Sequence, residues 1–239
     1  MPETELNRPD IGAVLTTGSI EVLGRMPWSS NLTLLVECTL DDVVVRAVYK
    51  PHAGERPLWD FPDGLWQREV AAYELSAALG WELIPLTVVR HDAPHGVGSL
   101  QVFVDADYDR HYFTLLEDDA FHDQFRRMAA FDFVANNTDR KSGHCLVDAD
   151  DHIWGIDNGL SFHADFKLRT VIWDFADEPI DDADLADLQR LADEGLPDPL
   201  ACRLGPFERD AVLARARALV RNGVLPSDPS GRRWPWPLV

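Results

Sequence analysis

Two aspartates lie in polar turns on either side of a short apolar segment in the run FDFVANNTDRKSGHCLVDADDHIWGIDNGLSFH, residues 131–163. Asp139 follows a helical pattern, and Asp157 comes 18 positions later, directly before Asn-Gly. The segment between them, CLVDADDHIWGID, has two apolar arms around three acids, which predicts a β-hairpin. We expect this hairpin to bring both carboxylates into one cleft, where one could activate a hydroxyl group and the other could hold a magnesium ion. Taken separately, each aspartate would be interpreted as part of an ordinary tight turn.

A lysine and a glutamate nearer the N-terminus add to this pattern. VVVRAVYKP predicts a strand that ends near Lys50, and LWQREVAAYELSAALG predicts an amphipathic helix that ends at Gly80. In protein kinases a strand lysine binds the nucleotide phosphates and a glutamate on the following helix steers it. Glu69, 19 positions after Lys50, has the right place for that partner. We prefer it to Glu74, which lies about 140° round the same helix.

Strands and helices that could position these residues are predicted along the whole chain. Residues 11–51 predict a three-strand antiparallel meander, and LIPLTVVR and GSLQVFVD predict two more strands after the helix. Helical patterns cover 118–137, 182–195 and 206–222, and a Pro/Trp-rich tail occupies 226–239. The prediction is an α+β fold in one domain. An N-lobe, residues 1–104, contains a small antiparallel sheet and one helix, and a C-lobe, residues 105–239, is mostly helical.

The motifs resemble those of a known family. NNTDRKSGHCLVDADDHIWGIDNGLSF resembles the catalytic and metal-binding segments of the phosphatidylinositol 3-/4-kinase superfamily, while VYKP and REVAAYELSAALG resemble the lysine strand and glutamate helix of a small actinobacterial branch of predicted kinases. This resemblance covers most of residues 15–175. It implies a bilobal protein-kinase-like fold that binds ATP and Mg2+ between its lobes. It further implies Lys50 on the nucleotide phosphates, Glu69 as its partner, Asp139 as catalytic base and Asp157 as magnesium ligand, with Lys141 neutralising the transferring phosphoryl group.

One position departs from the family pattern. The family usually has Asn five residues after the catalytic base, and this chain has His144 there. An imidazole can coordinate a metal ion, but it is larger than an amide and protonates near neutral pH, so a second magnesium site would be altered or absent. Asn136 and Asn137, just before the base, are expected to shape the loop.

The contacts to the rest of the nucleotide are predicted from two other segments. GRMPWSSN joins the first two strands, and its Ser29 and Ser30 could bind phosphate oxygens in place of a glycine-rich loop. The extended backbone of Gln101, Val102, Phe103 and Val104 could offer hydrogen bonds to the adenine.

Composition limits the partners. The chain has 239 residues with 22 basic and 41 acidic side chains, a formal net charge of −19. Such a charge argues against nucleic acid and against stable association with an anionic membrane surface. Three widely separated cysteines suggest neither a disulfide framework nor a zinc cluster, and the N-terminus has no pattern of a secretory signal. A cytoplasmic location is therefore expected.

The sequence thus predicts an ATP- and magnesium-dependent phosphotransferase that acts on a hydroxyl group of a small molecule or protein. A nucleotide-binding pseudokinase, with His144 as its hint, and a nucleotidyl (AMP) transferase on the same fold are the alternatives. A non-catalytic interaction protein is the third. The acceptor, the oligomeric state and the packing of Trp234 and Trp236 in the tail are left open.

Overall fold

The computed structural model describes residues 8–27, 29 and 31–239. Trp28 and Ser30 of the predicted phosphate-binding loop therefore lie outside the described residues. The chain divides into two compact units. The first contains the described residues up to Val70 together with Pro85–Phe103, and the second contains Ala71–Ile84 and Val104–Val239.

The first unit is built on a five-stranded antiparallel sheet with strand order β1-β2-β3-β5-β4. The strands are β1 (Ser19–Arg25), β2 (Leu34–Leu40), β3 (Val43–Pro51), β4 (Thr87–Arg90) and β5 (Gly98–Val102). The predicted meander is confirmed in β1, β2 and β3, and the predicted pair after the helix is confirmed in β4 and β5. The third strand ends at Pro51 because proline cannot donate to the ladder.

A helix that the sequence analysis did not predict opens this unit. α1 covers Arg8–Thr17, where a strand was expected from the β-branched residues of IGAVLTT. Val14 and Leu15 are buried in the core of the sheet, and this burial outweighs the weak strand preference of the segment. The guanidinium of Arg90 donates to the carbonyl oxygens of Leu15 (2.9 Å) and Gly18 (2.7 Å), which satisfies the end of the helix.

The long helix after β3 is shared by both units. α2 covers Leu65–Leu79 and is followed by Gly80 with φ of +74°, as the sequence predicted. Residues up to Val70 belong to the first unit, whereas residues 71–84, which the sequence analysis assigned to the N-lobe, belong to the second. The reason is a run of apolar side chains from Ala71 to Ile84 that is buried in the core of the second unit.

The second unit is mostly helical. Its helices are α3 (Tyr112–Leu115), α4 (His122–Ala135), α5 (Asp182–Glu194), α6 (Asp198–Ala201) and α7 (Pro206–Asn222). The predicted hairpin is confirmed as β6 (Cys145–Val147) paired with β7 (Ile153–Gly155). Helices α4, α5 and α7 are confirmed as well, while the single-turn helices α3 and α6 are too short for the hydrophobic period to reveal them.

The tail packs on the second unit. The amide of Ser142 donates to the carbonyl of Leu238 (2.8 Å), and the indole of Trp173 donates to the carbonyl of Arg233 (3.0 Å). Trp236 remains 86% exposed. No helix in the described part of the chain combines the length and the apolar character that crossing a membrane requires.

Candidate functional site

In the first unit, a strand lysine and a helix glutamate form an ion pair. Lys50 lies near the end of β3, opposite Ser99 of β5, and its Nζ is 2.5 Å from Oε1 of Glu69 in α2. The side chain of Glu69 is only 4% exposed and that of Lys50 is 22% exposed. The alternative partner, Glu74, belongs to the second unit, where burial raises its pKa and Arg203 opposes the rise. The sequence preference for Glu69 therefore agrees with the geometry of the ion pair.

The start of α2 is fixed by a carboxylate from outside the helix. Glu55 accepts hydrogen bonds from the amides of Gly64 (3.2 Å), Leu65 (2.9 Å) and Trp66 (2.6 Å). These amides begin the helix and have no acceptor within it, and a negative charge is also favourable at this end. Glu55 thus stabilises the helix that carries Glu69.

The other residues of the first unit that were predicted to contact the nucleotide differ in burial and in hydrogen bonding. Ser29 is half-buried in the loop between β1 and β2. The side chain of Gln101 is buried and donates to Thr87 (2.9 Å). The amides of Val102 and Phe103 donate to the carbonyls of Leu86 and Arg46, so they are already used within this unit. These hydrogen bonds remove two of the donors that adenine recognition was expected to use.

In the second unit, the loop that carries Asp139 begins where α4 ends, and Asn136 adopts the left-handed conformation with φ of +53°. The last four carbonyls of α4 would be without partners in an isolated helix. Here each accepts a hydrogen bond. The carbonyls of Asp132 and Phe133 accept from the amides of Asn137 (2.9 Å) and Asn136 (3.2 Å). The carbonyl of Val134 accepts from Nε of Arg215 in α7 (2.8 Å), and that of Ala135 accepts from the amide of Phe162 (2.6 Å). Segments distant in the sequence thus fix the end of the helix.

The two asparagines before Asp139 are fully buried and shape the loop, as the sequence suggested. The side chain of Asn136 donates to the carbonyls of His163 and Asp165, both at 2.8 Å. The side-chain oxygen of Asn137 accepts the amide of Asp139 at 2.9 Å. The backbone that leads into Asp139 is therefore held by side-chain hydrogen bonds of both asparagines.

A buried arginine ties the loop of Asp139 to the loop of Asp157. Arg140 has no exposed surface, and its guanidinium contacts both carboxylate oxygens of Asp132 at 2.9–3.1 Å. It also donates to the carbonyl of Ile156 and to the side chain of Asn158, both at 2.8 Å. Burial opposes the charge of Arg140, but the Asp132 carboxylate outweighs it and leaves the pKa of Arg140 above its ordinary value. Residues on both sides of Asp157 are thus bonded to the residue after Asp139.

This arginine needs space beside the hairpin. A side chain at Gly155 would place its Cβ 3.0 Å from the sulfur of Met128 and 3.2 Å from a terminal nitrogen of Arg140. Glycine at this position therefore allows β7 to lie close to the guanidinium.

The structure brings the predicted residues of the second unit together. Nζ of Lys141 is 3.0 Å from Oδ2 of Asp139, and Nε2 of His144 is 3.5 Å from Oδ2 of Asp157. Burial raises the pKa of Asp139, Lys141 opposes this, and the negative charge of Asp157 adds to the rise. A carboxylate with a raised pKa is a better proton acceptor at neutral pH than an ordinary one.

The cluster suits a hard cation. Asp157 has a left-handed backbone, with φ of +57°, and its side chain is 53% exposed, so water can reach it. Carboxylate oxygens that keep access to water are the ligands that magnesium prefers. The imidazole of His144 adds a nitrogen next to the Asp157 carboxylate.

Sequence reasoning did not predict that Asp132, Arg140, Asn158 and Arg215 hold the loops of the site in place. Charged side chains are expected at the surface, so neither Asp132 nor Arg140 drew attention. One signal of a buried charge was present in the sequence. Asp132 lies four positions after Met128, which places it on the apolar face of α4.

No model of a known protein family matches this chain. Among solved structures, the chain is similar to hydra Fam20 with sugar, with a TM-score of 0.57 and 14% identity over 90% of this chain and 88% of that chain. It is also similar to the Helicobacter pylori proinflammatory kinase CtkA, with a TM-score of 0.50 and 11% identity over 88% of this chain and 94% of that chain. These similarities show an α+β protein-kinase-like fold, which confirms the predicted fold class.

A similarity in sequence is much closer. Protein Rv2133c of Mycobacterium tuberculosis is 40% identical to this chain over an alignment of 269 positions, which covers 96% of both proteins. The present chain therefore belongs to the same family as Protein Rv2133c.

Proposed function

We propose that this chain is an ATP- and magnesium-dependent phosphotransferase that acts on a hydroxyl group of a small molecule or protein. The observation that carries this proposal is the acidic cluster of the second unit, with Asp139 at 3.0 Å from Lys141 and Asp157 at 3.5 Å from His144. The kinase-like fold and the Lys50–Glu69 ion pair support it. Together they supply a base, a metal ligand and two cations for phosphate oxygens.

Each residue has a role that its surroundings suit. Asp139 would accept the proton of the acceptor hydroxyl, since burial has already raised its pKa. Lys141 would contact the transferring phosphoryl group, and its pairing with Asp139 keeps the ammonium next to that base. Asp157, with His144 as a possible second ligand, would hold magnesium. When bound, magnesium would neutralise charge on the nucleotide phosphates.

On the nucleotide side, Lys50 would bind phosphate oxygens while Glu69 keeps its ammonium in place. Ser29 and Ser30 remain candidates for additional phosphate contacts. For adenine, the carbonyls of Gln101, Val102 and Phe103 and the backbone of Val104 remain candidates, because the amides of Val102 and Phe103 donate elsewhere.

The membership in the phosphatidylinositol 3-/4-kinase superfamily, implied by the Asp-Arg-Lys and Ile-Asp-Asn-Gly motifs, is part of this proposal. The proposal does not include a lipid as the acceptor of the phosphoryl group. The net charge of −19 would repel an anionic membrane surface, and a protein or small-molecule hydroxyl fits that charge better.

Transfer is tested with ATP labelled separately at its α and γ phosphates, incubated with the protein, Mg2+ and candidate acceptors. Movement of the γ label, onto an acceptor or onto the protein itself, is expected. Asp139→Asn should reduce it by about 10²–10⁴-fold while ATP still binds. Asp157→Asn should remove the magnesium dependence of ATP binding.

Asp150→Asn is the matched control, since Asp150 is an exposed acid in the hairpin turn of the same unit. It should behave as the wild type. Movement of the α label would instead assign AMP transfer. If both Asp139→Asn and Asp157→Asn match the wild type, the proposed roles are wrong.

A nucleotide-binding pseudokinase is the second candidate, and the position of His144 favours it. A protonated imidazole 3.5 Å from Asp157 would compete with magnesium for that carboxylate. This candidate predicts ATP binding without transfer by the wild type and a gain of transfer in His144→Asn.

A further inference from the structure

Three metal-binding side chains meet in the first unit, in the segment between the end of β3 and the start of α2. The ligand atoms of His52, Glu55 and Asp63 all lie within 4.8 Å of one another. We propose that these three side chains bind a divalent transition-metal ion of the zinc class, in a site separate from the magnesium proposed at Asp157.

The main chain at His52 and the carboxylate of Glu55 are held in place by hydrogen bonds to the surrounding backbone. The amide of His52 donates to the carbonyl of Val97 (2.9 Å), and the amide of Glu55 donates to the carbonyl of His52 (3.0 Å). The carboxylate of Glu55 is oriented by the three amides that begin α2. A ligand that is fixed before the ion arrives loses little conformational freedom on binding.

The third ligand can adjust. Oδ2 of Asp63 lies 2.9 Å from Nε2 of His52, and the Asp63 side chain is 82% exposed. In a tetrahedral zinc site with bonds of about 2.1 Å, ligand atoms are about 3.4 Å apart. A small rotation of the exposed Asp63 side chain would open this spacing and place an ion where the two side chains now contact each other.

The donor set selects the class of ion. One imidazole nitrogen and two carboxylates carry a net charge of −2 and suit zinc, cobalt or nickel, whereas magnesium prefers oxygen ligands alone. A carboxylate has about four acceptor positions, so the three amides on Glu55 leave one for the ion. The start of α2 repels cations, but the charge of Glu55 lies between that end and the proposed ion.

The ion would connect the two elements that carry the Lys50–Glu69 pair. His52 comes two residues after Lys50 at the end of β3, while Glu55 and Asp63 hold the start of α2. A bound metal would therefore restrict movement of α2 relative to β3 and stabilise the ion pair. This consequence for catalysis rests on the proposed function, whereas the metal binding does not.

Calorimetric titration of the full chain with Zn2+, in excess Mg2+, tests the site. The wild type should bind one equivalent that His52→Gln and Asp63→Asn bind at least about tenfold more weakly. His91→Gln and Asp42→Asn, an exposed imidazole and an exposed acid of the same unit, should keep the wild-type affinity. Wild-type zinc affinity and stoichiometry in both His52→Gln and Asp63→Asn would overturn the proposal.

Two further readouts separate this site from the proposed kinase activity. Zn2+ should raise the melting temperature of the wild type and of Asp157→Asn, but not that of His52→Gln. Loss of the zinc equivalent in Asp157→Asn, with His52→Gln unchanged, would place the ion in the second unit and refute the proposal. Failure of phosphoryl transfer, by contrast, would leave the zinc titration as it is.

Discussion

The charged residues of the two units are held in place in different ways. In the first unit, Lys50 and Glu69 form an ion pair between their side chains. In the second unit, Asp139 and Asp157 stand on loops that a different set of residues, Asp132 and Arg140 foremost, holds from within the core. The proposed catalytic residues of the first unit therefore contact each other, whereas those of the second unit stand on loops held by residues with no proposed catalytic role. We expect the largest losses of stability from the residues that hold these loops, and a smaller loss from a change in the Lys50–Glu69 pair.

The largest effect should come from breaking the buried pair. Asp132→Ala leaves the guanidinium of Arg140 without its carboxylate in a site with no exposed surface. Loss of one partner from a buried ion pair costs about 3–5 kcal/mol of unfolding free energy. Urea denaturation measures it.

Asp123→Ala is the control, because Asp123 lies on the same helix, pairs with Arg126 and is 99% exposed. Exposed pairs contribute about 0–1 kcal/mol. An equal loss in the two variants would contradict the buried network.

Removal of the arginine that completes the end of α4 should have the next largest effect. Arg215→Met leaves the carbonyl of Val134 without its donor, which costs about 1–3 kcal/mol for a buried acceptor. Burial lowers the pKa of Arg215 to about 10, against the influence of Glu208, so the charge of the guanidinium is itself unfavourable in this site. Methionine removes that buried charge, and the loss should therefore fall towards the lower end of the range. Arg221→Met, an exposed position on the same helix, should be nearly neutral in the same denaturation assay.

A change in the Lys50–Glu69 pair of the first unit should have a smaller effect on stability and a clear effect on nucleotide affinity. Glu69→Gln keeps an acceptor for Lys50, whose side chain is 22% exposed, so the unfolding free energy should fall by about 1 kcal/mol, less than in Asp132→Ala. ATP binding, followed by calorimetry, should weaken because the ammonium is no longer steered by a charge. Glu74→Gln should leave ATP affinity unchanged. A stability loss as large as that of Asp132→Ala would erase the distinction between the two units.

The smallest effect concerns pH. Burial, the leading influence, raises the pKa of Asp139 in the folded state above its unfolded value. The folded state therefore takes up the proton first as pH falls, and stability is lost as pH rises through the folded pKa. Asp139→Asn should accordingly be slightly more stable than the wild type above that pKa. The difference should vanish below the unfolded pKa of about 3.9, as denaturation at a series of pH values would show.

The sequence predicted helices and strands correctly where the local conformational preference of a segment agrees with its pattern of burial. Gly80 and Gly223 mark the ends of α2 and α7, and both have positive φ in the structure. The β-branched runs that became β2 and β3 alternate between buried and half-exposed positions. The lysine–glutamate pattern of protein kinases, applied to the predicted strand and helix, also identified Glu69 as a residue that contacts Lys50.

The sequence did not predict the structure correctly where contacts with distant segments determine the local conformation or the burial of a side chain. IGAVLTT has side chains that suit a strand, and only its burial against the sheet makes it part of α1. The environment of Arg140 is invisible locally, since Asp132 lies eight positions before it and Asn158 lies 18 after. Burial of a charge depends on which carboxylate the fold brings to it, and a pattern of residue types does not contain that information.

The hydrogen bond from Arg215 to Val134 joins residues 81 positions apart and has a consequence for the order of folding. The end of α4, from which the loop of Asp139 departs, gains its last hydrogen bond only when α7 has docked. On a ribosome, a chain that has emerged only as far as the hairpin would contain Asp139 and Asp157 without the support that aligns them. Any activity of these acids should therefore appear late in synthesis, after the last long helix has left the exit tunnel.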